Sequence, residues 1–409
     1  MTTSVQTKFD VGGVMLDRPF KVRRLGHFGF NTRNLEDARR FYIDLLGFKI
    51  SDEADILMRI LTPEQRAAIP EGPGWFTRYG GDHHAFVLFN RKVMDALSGG
   101  HGRPDMTINQ ITWQVGSLRE VGDAAKWFND TGVPIQRTGR DMPGSNWHTY
   151  IYDPDGHTNE LYYGIEQVGW DGLSKPREMY YRGFREPPQL PQINEFDEVQ
   201  DALSKGIDVH AGYRHIDTLP AKYEVDGVML ARPFKITRIG PVSLYVDDLD
   251  KAEAFYRDVM GFDVTETTQL KGERIVHLRT NTEHHAMTLI PASLKGSVDM
   301  GTNTTCAAFG LQLANYRQLR DAVDFLRGNG IRVETHVPDE LHPGMDYVAH
   351  AFDKDGHCIQ LYYSMEQIGW DGKPRPRSER RYGNAHDWPE TLDQISDSYN
   401  GEPYLGPWG

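Results

Sequence analysis

The hydrophobic and polar positions of the chain follow two rhythms. Between Leu25 and Phe30 they alternate, with Leu25, His27 and Gly29 on one side and Phe28 and Phe30 on the other. Such a run predicts a strand. A helical period follows. Asn34 is placed to cap it, with Asp37 at the third helical position. Leu35, Ala38, Phe41, Tyr42 and Leu45 form its apolar stripe, and Gly47 suits the stop. Strand-like runs then end with Ala85 to Asn90. The order starts again with a strand from Ile108 to Val115, a helix from about Leu118 to Asn129 before Gly132, and strands at Trp147–Tyr152 and Thr158–Tyr163. Gln110, Thr112 and Gln114 share one side of their strand; Thr158, Glu160 and Tyr162 share one side of theirs. Phe28, Phe30, Ile111 and Trp113 lie on the opposite sides and suit packing under a helix. Asp153-Pro-Asp-Gly156 predicts a tight turn between the last two strands.

The plan then recurs. Val11 to Gly26 returns as Val225 to Gly240, Asn34 to Phe48 answers to Asp248 to Phe262, and His83-His84-Ala85 answers to His284-His285-Ala286. Ile165 to Gly172 answers to Met365 to Gly372, including the segment Gly-Trp-Asp-Gly in both. Matches in this order mark a duplicated domain. The division expected is 1–185, a linker over 186–224 containing Glu186-Pro-Pro-Gln-Leu-Pro191, and 225–409. Four βαβββ modules, two per domain, follow. One helix per module cannot cover both faces of a sheet, so the class is α+β with curved antiparallel-rich sheets.

Composition narrows the function. Of 409 residues, 45 are Lys or Arg and 58 are Asp or Glu, for a formal charge of −13. A general nucleic-acid surface is not expected, because phosphate binding needs a positive field. No apolar run is long enough for a membrane helix, and the first residues lack the apolar core of a secretory signal. A cytoplasmic protein is expected. Two cysteines, Cys306 and Cys358, exclude a disulfide framework or a Cys-rich metal site. Both fall on neighbouring predicted strands, where burial suffices to explain them.

Four segments in this order, Leu25-Gly-His27, Asn34 to Phe48, Asp82-His83-His84 and Asp153-Pro-Asp-Gly-His157 with Glu160-Leu-Tyr162, resemble the vicinal oxygen chelate superfamily. Within it, the two-domain extradiol ring-cleaving dioxygenases are most similar. The resemblance implies two open barrels, each a pair of modules that can enclose one metal ion. Carried over, the expected ligands are His27, Gln110 and Glu160. Gln110 stands where the dioxygenases have histidine; glyoxalase-like members use glutamine there. The same positions in the C-terminal half fall on Pro241, about Ala308, and Gln360, so that half is expected to be metal-free.

An imidazole, a carboxylate and a neutral oxygen leave metal positions open and suit Fe(II) first, with Mn(II) or Zn(II) as alternatives. A substrate with vicinal oxygens could chelate there, and O2 could take a further position. The resemblance also implies that His84 moves protons, a role suited to a near-neutral pKa. Tyr150 is then a phenol beside the bound oxygens. His148 is another pocket residue or a substitute ligand. His83 is expected to face away from His84. Arg140-Asp141 lies where the family often has Arg-His. The expected function is a metal-dependent extradiol-type dioxygenase of a small aromatic diol or related chelator. Non-oxidative lyase, isomerase or hydrolase chemistry, or a small-molecule binding protein, are the alternatives. A homo-oligomer is compatible with either.

Other repeated features have plainer readings. The Gly-Trp-Asp-Gly segments suit turns anchored by a buried Trp, and the Arg-Pro-Phe segments suit domain docking or a strand entrance; both could shape an oligomer interface. Gly99-Gly-His-Gly102 is a loop, too weak a signal for phosphate binding. The tail aromatics Trp388, Tyr399, Tyr404 and Trp408 suit packing on the body or on another subunit, and the tail could cover a barrel mouth.

Overall fold

Each half of the computed structural model is one open eight-stranded sheet. The described residues are 8–55, 61–69, 72–97, 103–140, 144, 146–179, 194–380 and 388–392. Asp141, the loop 99–102, Glu186 to Pro191, Tyr399, Tyr404 and Trp408 lie outside them. In the N-terminal half the central strands are Arg24–Thr32 and Ile108–Gln114, which run antiparallel. Phe86–Asn90, Gly74–Arg78 and Lys49–Ala54 extend the sheet on one side. Thr158–Tyr163, Trp147–Tyr152 and Ile135–Arg140 extend it on the other. The C-terminal half repeats this order around Ile236–Val246 and Cys306–Leu313. The two outermost strands of each sheet are not paired to each other, so the sheets are curved but not closed. The α+β class and the duplicated modules hold.

Local chemistry explains the elements. Asn34 caps the first helix, its side chain accepting from the Asp37 amide at 3.2 Å. The helix widens to a π-turn over Arg39–Leu45, which buries Phe41, Tyr42, Ile43 and Leu45. At Gly47 the backbone turns left-handed, with φ +93°. Ser117 caps the helix Leu118–Thr131, and Gly132 ends it. The Asp153 carboxylate closes the predicted turn by accepting from the amides of Asp155 at 3.0 Å and His157 at 2.8 Å. A helix, Glu195–Ser204, lies in the stretch between the repeats.

Phe28 and Phe30 do more than pack under a helix. Phe28 stacks on Phe309 of the other half, with ring centroids 4.5 Å apart, and Phe30 stacks on His357 at 3.9 Å. Trp113 meets Phe262 edge-on at 4.7 Å. The two sheets bury these faces against each other's modules, because one short helix per module leaves too much apolar strand uncovered. The Arg-Pro-Phe segments dock the halves as expected. Arg18 lies on Gly261, and Arg232 on Gly47, where a Cβ would meet guanidinium atoms at 2.2 and 2.3 Å.

The expectation of a buried Trp in the Gly-Trp-Asp-Gly turns is overturned. Trp170 and Trp370 are fully exposed, at 105% and 101%. The turns close without the indoles: in the first, Gly172 N donates to Gly169 O at 2.9 Å and Asp171 accepts from the Leu173 amide at 3.2 Å. Cys306 and Cys358 are buried free thiols. Among the described residues no helix is long and apolar enough to cross a membrane.

Candidate functional site

All six expected site residues converge in the N-terminal half. Strand alternation turns His27, Gln110, Thr112 and Glu160 to the concave side, from three adjacent strands. Glu160 is the hub and is fully buried. Its Oε2 is 3.0 Å from His27 Nε2 and accepts from Thr112 Oγ1 at 2.8 Å and Gln110 Nε2 at 3.2 Å. Its Oε1 accepts from Asn146 Nδ2 at 2.6 Å and lies 3.7 Å from His148 Nδ1. Burial alone would raise this carboxyl's pKa. The His27 imidazole outweighs it, with help from His148 and Thr112, and holds the pKa at about 2.

The next layer orients this core. Tyr150 donates to Gln110 Oε1 at 3.4 Å, with the Arg137 guanidinium over its ring. His148 packs edge-on against Tyr150, ring centroids 4.5 Å apart. Tyr162 and His84 flank the His27 ring at 5.0 and 4.4 Å. His83 does not face away from His84. Their Nδ1 atoms are 3.1 Å apart, while His83 Nε2 meets Asp52 Oδ2 at 2.7 Å. Both sit at a loop, where alternation does not apply. Gly144 lies over the pair with φ +88°; a Cβ there would stand 2.8 Å from His84 Nδ1. The near-neutral pKa expected for His84 is also corrected. Burial, then the His27 and His83 rings, push it well below the ordinary value, so the ring is neutral.

These donor types suit a divalent ion. The His27–Glu160 separation of 3.0 Å is that of a hydrogen bond, and also that of two ligands at a right angle with bonds of about 2.1 Å. Gln110 directs its amide nitrogen to the carboxylate; a half-turn of the amide would present its oxygen instead. Among the described residues no group of three or more His, Cys, Asp and Glu is arranged to hold a metal ion. The candidate set has one imidazole, one carboxylate and one amide.

Sequence reasoning missed Asn146, Asp52 and the proton donated by Thr112. Thr112 was signalled by its place two residues after Gln110 on the same side. Asn146 and Asp52 had no local signal, since their partners are 14 and 31 residues away.

The C-terminal half occupies the equivalent places differently. Pro241 and Ala308 carry no donor there, and Gln360 Oε1 lies 3.3 Å from His350 Nε2. His277 and His342 are buried, and burial lowers their pKa values to about 3 and about 4. His277 is held by the Thr268 and Thr288 hydroxyls, and the carboxylate nearby, Glu266, is ion-paired with His284 and Arg380 rather than set at the position of Glu160.

The Glyoxalase/Bleomycin resistance protein/Dioxygenase superfamily model matches residues 24–161 and 238–361. The chain belongs to that superfamily. It is 30% identical over 147 residues to metapyrocatechase 2 of Cupriavidus necator, covering 36% of this chain and 38% of that protein. It is 24% identical over 242 residues to catechol-2,3-dioxygenase of Bacillus subtilis strain 168, covering 59% and 65%. Each match thus spans less than two thirds of the relative's length. Among solved structures, the 2,3-dioxygenase LapB of Pseudomonas sp. KL28 superposes with a TM-score of 0.55 at 15% identity, over 87% of this chain and 96% of that one.

Proposed function

We propose that this chain is a metal-dependent extradiol-type dioxygenase acting in the cytoplasm on a small aromatic diol or a related vicinal-oxygen chelator. The observation that carries this reading is the fully buried His27–Glu160 pair, 3.0 Å apart, inside a duplicated fold of this superfamily. A buried imidazole and a buried carboxylate brought together from two strands, with an amide beside them, are donor types that a divalent cation binds. We assign the catalytic site to domain 1–185 and read 225–409 as a metal-free duplicate, joined by 186–224.

His27, Gln110 and Glu160 would hold the ion. Fe(II) is the first assignment, with Mn(II) or Zn(II) as alternatives. When bound, such an ion supplies Lewis acidity toward both substrate oxygens and, if redox-active, electron density for O2. The chain's own residues do the rest. Thr112 and Asn146 hold the Glu160 carboxylate in one orientation. Tyr150 holds the Gln110 amide and presents its phenol to the same space. His84, neutral against the His27 ring, accepts or returns a proton at its Nε2. His148 lines the Glu160 side. Burial of all but Gln110 below one tenth exposure keeps bulk water from the reacting atoms.

A second reading is favoured by one observation: the amide Gln110 where the dioxygenases have histidine. A harder site of this kind suits non-oxidative lyase, isomerase or hydrolase chemistry with Mn(II) or Zn(II). Elemental analysis of anaerobically purified protein, with His27→Ala and Glu160→Ala alongside, tests both. Iron near one per chain, lost in both variants, with O2 uptake on catechols, supports the first. Zinc, or manganese without aerobic diol turnover, supports the second. Substoichiometric metal indifferent to both variants overturns the two together.

A further inference from the structure

Two matching hydrogen bonds join the halves. Tyr42 of the N-terminal half donates to Asp353 Oδ2 at 2.9 Å, and Tyr256 of the C-terminal half donates to Asp153 Oδ2 at 2.8 Å. Each aspartate closes the turn of the last hairpin of its own half. Each also binds the histidine four residues on, with Oδ2 2.8 Å from His157 Nδ1 and from His357 Nδ1. Up to this point the two nodes are copies.

Beyond it they differ. Asn159 Nδ2 donates to the Tyr256 hydroxyl at 3.2 Å, and Asn159 Oδ1 accepts from Trp113 Nε1 at 2.9 Å. Tyr256 therefore reaches two neighbouring strands of the N-terminal sheet. In the other half the register puts Ile359 and Leu311 in those places, which have no polar atoms to extend the node into the sheet. That node continues elsewhere, from His357 Nε2 to Thr107 Oγ1 at 2.9 Å.

Asn159 immediately precedes Glu160, and Trp113 immediately follows Thr112. Successive strand residues face opposite ways. Asn159 thus meets Tyr256, and Trp113 meets Asn159, on the interface side, while Glu160 and Thr112, paired in register, face the site. We propose that Tyr256 is a positioning residue for the candidate site, fixing through Asp153, Asn159 and Trp113 the two strands that present Glu160 and Thr112. The proposal rests on the reading that this site binds a metal. It makes the C-terminal half a brace on the outer side of the ligand-bearing strands. Bonds to an ionised carboxylate are short and directional, and sub-ångström placement of ligands decides affinity.

The experiment compares Tyr256→Phe with Tyr42→Phe in the full chain. Each removes one buried hydroxyl from one copy of the same node, so a merely structural role would make them alike. Mn(II) titration of metal-free protein is expected to give a Kd raised about tenfold by Tyr256→Phe, as for residues that orient a ligand. The Kd should stay within about twofold for Tyr42→Phe. Asn159→Ile, which leaves the Tyr256–Asp153 bond in place and removes the link into the sheet, should follow Tyr256→Phe. In the metal-free protein, 15N signals of the His27 and His148 rings should move with Tyr256→Phe and not with Tyr42→Phe. The proposal is overturned if Tyr256→Phe leaves affinity and ring signals unchanged, or if Tyr42→Phe changes both equally. If wild type and Glu160→Ala bind Mn(II) alike, the metal reading fails, and the ring signals still decide the positioning role.

Discussion

The two halves of this chain share a sheet order and even a pair of interface tyrosines, yet their centres have opposite electrostatic characters. The N-terminal centre sets an imidazole against an ionised carboxylate with three neutral donors on it. The C-terminal half has the amide Gln360 in place of that carboxylate, beside His350, and burial keeps His277 and His342 neutral. A neutral amide at that position needs no counter-ion. The N-terminal half keeps a buried charge, which is costly unless it is fully partnered. Duplication supplied two frames, and at the three candidate ligand positions His27, Gln110 and Glu160 are answered by Pro241, Ala308 and Gln360.

The largest effect expected from breaking this contrast is at the hubs. Glu160→Ala leaves Thr112, Asn146 and His27 without their acceptor and should cost about 3–5 kcal/mol, the range for opening a buried charged network. Gln360→Ala removes neutral bonds only and should cost about 1–3 kcal/mol. Urea unfolding of the two variants measures the difference; equal losses would remove the distinction drawn between the halves.

Acid sharpens the same comparison. Glu160 has a folded pKa of about 2, below its ordinary 4.5. A depressed carboxyl contributes stability above the unfolded value, and that contribution is lost as pH falls toward the folded one. The loss should amount to about 3 kcal/mol. Wild type should therefore lose more stability than Glu160→Gln between about pH 5 and pH 2. Parallel curves for the two proteins would show that the carboxylate is not held as described.

The interface tyrosines should behave as twins in stability. Tyr42→Phe and Tyr256→Phe each remove a buried hydrogen bond to a carboxylate and should each cost about 1.5–3 kcal/mol by thermal or urea unfolding. A much larger loss for one would break the equivalence of the two nodes. The smallest effect belongs to the exposed indoles. Trp170→Ala and Trp370→Ala should each change stability by less than about 0.5 kcal/mol. A larger loss in either would mean that its indole is covered by a partner.

Much of the scaffold was legible because it is local. The cap at Asn34, the left-handed glycines 47 and 132, and the Asp153 turn all depend on neighbours within four residues. Strand alternation then placed His27, Gln110 and Glu160 on one face, and the repeat showed which half lacked their counterparts. The turn Gly169–Gly172 misled for the same reason: a Trp between glycines reads as an anchor, but the turn's own backbone bonds suffice and the indole is left outside.

The sequence by itself determined the duplicated modules, the element order and the residue types on each strand face, because period and turn chemistry act over a few residues. Tertiary structure alone decided that Asn146 would hold Glu160, that His84 would be a neutral ring wedged on His27, and that Tyr256 would reach across from the other half. Those outcomes depend on the field and free volume at single atoms. Both are sums over strands that meet only after about a hundred residues of chain have folded back, and no local pattern encodes such sums.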